Sequence, residues 1–199
     1  MHYGELVEHD DIEGERRSGV DFSGADEHGL RILDCRFDGA RLNGAKFTGC
    51  RFIDVVFDAA DAPDLELSKC ALQDVAITAS RLGGVQAYAG TWTRVTIVGG
   101  KVGYLNLRSA KLARVRFEDC AIDELDLSQA QVDRLSFSGC TVGRLDFSNA
   151  RCRDVDLSGA EVVTLESNPE GLRGVSVSHA QALDLAPGFA RILGMKVGP

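Results

Sequence analysis

Residues 139–152 read GCTVGRLDFSNARC, with Cys140 and Cys152 bracketing an arginine and an aspartate. Thiols beside charged groups are candidates for redox or metal chemistry, and their environment decides which. Other reactive side chains are sparse. The four histidines are His2, His9, His28 and His179, which leaves residues 29–178 with none. No Ser/His/Asp or Cys/His arrangement can be built along that stretch. The segment VGGKVG (98–103) has the look of a phosphate loop. However, Val95 stands where G-x-x-x-x-G-K needs its first glycine, and Val102 replaces the Ser/Thr. The residues therefore argue against an enzyme and call for no cofactor and no metal.

The chain has 199 residues, a length that suits one domain with a sizeable core. It is 44% hydrophobic but only 7% aromatic, with 22 glycines against four prolines, so small and aliphatic residues fill the core. A net charge of −8 disfavours bulk nucleic acid and anionic membrane as partners. The start, MHYGELVEHDDIEGE, is acidic and lacks the apolar stretch of a secretory signal. No run approaches the roughly 20 apolar residues of a membrane span. These features read as a soluble cytoplasmic protein with reduced thiols.

Positions ending in 2 or 7 are apolar from Phe22 to Val162, with Glu27 the one polar exception. Positions ending in 0 or 5 are apolar or small from Val20 to Leu165, with Ser80 the one polar member. A period of five fits neither a helix nor a strand. Each unit places two side chains inward, two residues apart as on a short strand, and then turns a corner. Glycine recurs at the corners, as at Gly24, Gly39 and Gly44. All six cysteines fall on these inward registers, where a free thiol packs as a small hydrophobe.

Units such as VDFSG (20–24), LDFSN (145–149) and VDLSG (155–159) resemble the pentapeptide-repeat family, over roughly residues 20–167. The resemblance implies a right-handed quadrilateral parallel β-helix with four units per coil, an all-β solenoid. Four units per coil require a 20-residue period, and it is present. Val55, Val75, Val95, Val115, Leu135 and Val155 form one ladder, and Phe37, Phe57, Ile77, Ile97, Phe117 and Phe137 another. Large ladders alternate with small ones, which fills a narrow square interior. At a coil spacing near 4.8 Å, about seven and a half coils make a rod of roughly 35 Å.

A solenoid needs both ends covered. Residues 1–19 are read as a polar N-terminal cap or disordered segment, 20–177 as the β-helix, and 178–199 as a C-terminal helical cap. Ser178 with Gln181 forms a capping-box pattern, Pro187 divides the segment into two short helices, and Gly194 stops the second. Leu185, Phe189, Ile192 and Leu193 make an apolar stripe. The family resemblance implies a homodimer contact there; the alternative is a helix that simply covers the last coil.

Outward positions 20 apart should also stack. One corner reads Asp34, Asp54, Asp74, then Arg94, Arg114, Arg134, then Asp154, with Asp38 and Asp58 on the face beyond the acidic part. Asp21, Arg41, Asp61 and Arg81 alternate in charge, and a third ladder ends Asp126, Asp146, Glu166. Residues 75–117 hold seven basic residues and no acidic one.

Within the family resembled, quinolone-resistance and toxin-immunity members look like DNA in shape and charge and bind DNA gyrase. On that basis Asp34, Asp38, Asp54, Asp58, Asp74, Asp126, Asp146 and Glu166 are the candidate partner-binding residues. The basic central band departs from a continuous acidic face. The alternatives are an anion or acidic partner at Arg94, Arg114 and Arg134, or a purely structural scaffold.

Overall fold

The computed structural model describes residues 2–5 and 11–196. Parallel strands stack one above another at a 20-residue register, with Val75 opposite Val95, Phe117 opposite Phe137 and Leu145 opposite Leu165. The result is the β-solenoid that the five-residue period predicts. Strands Ala71–Gln86 and Thr91–Asn106 run through a corner without losing the ladder, so adjacent faces share one continuous sheet.

The lumen is almost wholly apolar. Val95, Leu105, Val115, Leu125 and Val155 are fully buried, and the rings of Phe117 and Phe137 stack at 5.2 Å. Buried Ser80 keeps both hydrogen-bonding roles satisfied: its Oγ donates to the Thr78 carbonyl at 2.8 Å and accepts from the Ala60 amide at 3.0 Å. Trp92 is enclosed as its register predicts, although its Nε1–H finds no acceptor among the described residues. Gly100 differs from the buried inward positions. It is exposed at φ +90, and a Cβ there would meet the Ser80 carbonyl oxygen at 2.1 Å.

All six cysteines are free, and five are buried. Burial pushes the Cys120 and Cys152 thiols up to about 11, so neither is a thiolate near neutral pH. Cys140 belongs with Cys120 and Ala160 in one ladder rather than with Cys152.

Regular structure starts before Val20. Strands Asp11–Glu13 and Arg16–Ser18 pair with Arg31–Asp38, and Ile12 is fully buried. Ile12 satisfies the same register as Ile32, so part of the segment read as a polar cap is solenoid. Tyr3 closes that end: its ring stacks 5.4 Å from Phe22 and its hydroxyl donates to Glu27 at 2.7 Å. Burial, then that carboxylate, pushes the Tyr3 hydroxyl up to about 12. The remainder of the expected cap, Met1 and residues 6–10 including His9, lies outside the described residues, as do residues 197–199.

Helices α1 (His179–Asp184) and α2 (Ala186–Ile192) cover the other end. The Ser178–Gln181 capping box forms, and Gln181 Nε2 also donates at 2.6 Å to the Leu157 and Ala160 carbonyls. Leu185 is buried and Phe189 packs against the core, so these two residues of the expected dimer stripe are occupied within the chain. Leu193 is exposed, together with Leu183 and Met195. No helix among the described residues is long and apolar enough to cross a membrane.

Candidate interaction surface

The Asp34–Asp154 corner lies where the chain leaves the face containing Trp92 and enters the face containing Phe117. Its residues all adopt left-handed backbone: φ is 47, 55 and 54 at Asp34, Asp54 and Asp74, 54, 57 and 61 at Arg94, Arg114 and Arg134, and 53 at Asp154. The sharp turn dictates that conformation. It also points each side chain outward and stacks it on its neighbour in the next coil. Strand pairing on both sides of the corner fixes the spacing at one coil per residue, about 4.8 Å.

Charge pairing divides the corner. Arg94 holds Asp74 through two bonds, one of them 2.6 Å long, and that guanidinium keeps the Asp74 carboxyl below the usual carboxylate range. Arg16 reaches Asp34 at 2.7 Å. On the adjoining face Arg36 contacts both Asp38 and Asp58 at 2.8 Å. Asp54, Arg114 and Asp154 have no ion pair among the described residues.

Around Arg114 the surface is concave. A groove of about 500 Å³ on the Phe117 side is lined by Arg94, Arg114, Arg116 and Arg134, with Asp74 at one end and Asp154 and Asp156 at the other. A second groove of about 300 Å³, across the corner, is lined by Lys111, Arg151 and Arg153 among others. Asp133 partly neutralises it through Arg153 at 2.8 Å, and its carboxyl is held low by that contact. Arg116, Lys111, Arg151 and Arg153 therefore join the three arginines read from the sequence. Their outward register positions beside the corner were the available signal.

The third acidic ladder is committed elsewhere. Asp126 is only 5% exposed; its Oδ1 accepts from the Ser128 amide at 2.8 Å, and Arg108 reaches Oδ2 at 3.3 Å. Asp146 caps the next coil identically through the Ser148 amide at 2.7 Å. Glu166 is gripped by Arg144 at 2.6 Å, which lowers its carboxyl and raises the guanidinium. Asp126 is thereby largely enclosed and already bonded within the chain. Short carboxylates at this position satisfy turn amides, a local job that needs no ligand. Of the alternating ladder, Asp21 and Arg41 pair at 2.7 Å.

Residues 35–74 match the family described as Pentapeptide repeats, in eight copies. That segment is pentapeptide-repeat sequence, and the solenoid around it has the pentapeptide-repeat fold. Among solved structures, full-length QnrB1, a plasmid-mediated fluoroquinolone resistance protein, is similar at 17% identity. The alignment covers 90% of this chain and 99% of that one, with a TM-score of 0.46. HetL, a pentapeptide repeat protein involved in heterocyst differentiation regulation from the cyanobacterium Nostoc sp., is similar at 18% identity. There the coverage is 83% and 86%, with a TM-score of 0.31. No curated protein matches this chain in sequence.

Proposed function

We propose that this pentapeptide-repeat protein is a non-enzymatic interaction module that docks an acidic partner on the Arg94–Arg114–Arg134 corner. One observation carries the reading: Arg114 projects at the centre of a groove lined by three other arginines, without an ion pair among the described residues. Convergent guanidinium groups raise the local positive potential, and each can grip a carboxylate through two parallel bonds. The acidic residues at both ends of the groove limit its reach, which favours a short acidic segment over a long polyanion.

The test is fluorescence anisotropy of a labelled hexaglutamate peptide against the wild type and the R94A/R114A/R134A triple variant. Binding should weaken at least about tenfold from 0.02 M to 0.3 M salt, because exposed charges are screened beyond the Debye length. The triple variant should not bind. Equal binding by both proteins would overturn the reading.

A second reading places the acidic strip Asp34, Asp54 and Asp74, with Asp38 and Asp58, against the DNA-binding surface of DNA gyrase. The regular rise of these carboxylates along a rod supports it. Arg16, Arg36 and Arg94 weigh against it, since they pair with every member except Asp54. A supercoiling assay that shows neither inhibition nor protection from quinolone-induced cleavage at micromolar protein would exclude this reading.

A further inference from the structure

Read along the rod, the corner is three aspartates followed by three arginines, and that order is complementary to its own reverse. Take a second copy, turn it end for end, and set its corner against the first. When the two-fold axis crosses between the coils of Asp74 and Arg94, Asp74 meets Arg94 of the second copy. Asp54 then meets Arg114, and Asp34 meets Arg134. Symmetry repeats each contact, as it must in an isologous interface.

We propose that the acidic partner of the corner is a second copy of this chain, docked antiparallel in this register. The inference rests on the corner being a docking surface, as proposed above. Three observations carry it further.

First, the arrangement supplies partners to the charges that lack them. Asp54 and Arg114 have no ion pair within one chain among the described residues, and the two-fold places each on the other.

Second, the register is selected. Sliding one copy by a single coil in either direction brings Asp74 onto Asp74 or Arg94 onto Arg94, both repulsive. The central register avoids every like-charge contact along the corner, because the residue beyond Arg134, Asp154, then faces Gly14.

Third, the flanking positions tolerate the approach. On the Trp92 side, Ile53 comes opposite Ala113 and Gln73 opposite Thr93. On the Phe117 side, Val56 comes opposite Arg116 and Ala76 opposite Thr96. None of these pairs places like charges together.

The contact is narrow and its ion pairs are exposed, so association should be weak, reversible and sensitive to salt. Sedimentation velocity at about 100 µM protein should show dimer at 0.02 M salt and monomer at 0.5 M. The decisive comparison is a charge swap. D54R and R114D should each be monomeric at low salt, because each places like charges at two symmetric contacts. An equimolar mixture of the two should form a heterodimer, and the D54R/R114D double variant should form a homodimer again. Folding is not at stake, since this left-handed corner already accepts both Asp and Arg, and circular dichroism checks it.

Single variants that dimerise as the wild type does, or a mixture that stays monomeric, would overturn the pairing. A wild-type chain that is monomeric at low salt but binds hexaglutamate would also overturn it and leave the acidic-partner reading standing. A chain that does neither overturns both.

Discussion

Asp34, Asp54 and Asp74 occupy the same structural position as Arg94, Arg114 and Arg134, a few coils further along one corner. All six have φ between 47 and 61. They differ in how well the residue suits that backbone. Aspartate visits the left-handed region readily because its short side chain bonds locally, whereas a long side chain has no such compensation. The acidic run is thus what the turn itself would select. The arginine run is not, and it coincides with the grooves. The backbone decides where a corner side chain points, and the arginine run falls on the docking surface proposed above.

Breaking the shared scaffold should have the largest effect. Leu125→Ala empties a fully buried lumen position and should cost about 2–5 kcal/mol in urea unfolding. Arg114→Ala should stay within about 0.5 kcal/mol, as surface substitutions do. A comparable loss at Arg114 would mean the corner arginines hold the rod together rather than face a partner.

Glycine substitution sharpens the conformational contrast. Arg114→Gly should raise stability by about 1 kcal/mol, measured in high salt where charge effects are screened, because glycine carries no left-handed penalty. Asp54→Gly should gain less. Equal gains would remove the distinction between the two runs.

The smallest effect expected is on acid stability. Asp74 and Glu166 have carboxyls held low by Arg94 and Arg144. Their contribution is present above the unfolded values, about 3.9 and 4.3, and is lost as pH falls through the lower folded values. Thermal melts should therefore fall in temperature below about pH 4. E166Q should flatten that descent slightly by lowering the neutral-pH melt, with the acid end nearly unchanged. A steeper descent in E166Q would contradict the direction of the shift.

The lumen was legible from sequence because one rule, two inward side chains every five residues, governs it coil after coil. Val115, Phe137 and Trp92 lie where that rule puts them. Ile12 obeys the rule too, but polar neighbours hid it at a single coil's depth. The surface was less legible because long side chains ignore the vertical ladder. Arg16 reaches Asp34 and Arg108 reaches Asp126, both 18 residues on, while Arg36 reaches Asp58 and Arg144 reaches Glu166, both 22 residues on. Reading positions only 20 apart shows the acidic ladders but not these diagonal arginines. Nor could the sequence distinguish Asp126, turned in to cap Ser128, from Asp54, turned out to solvent.

Recognition is proposed for this corner and not for the basic band at large. Arg81 provides the control, being exposed on another face and, among the described residues, without an ion pair. Hexaglutamate anisotropy should be compared for R114D and R81D at low salt. Affinity should fall at least about tenfold for R114D and change less than about twofold for R81D, the contrast between a contact and a distant screened charge. Equal losses in the two variants would show that binding follows net charge alone, and would contradict the claim.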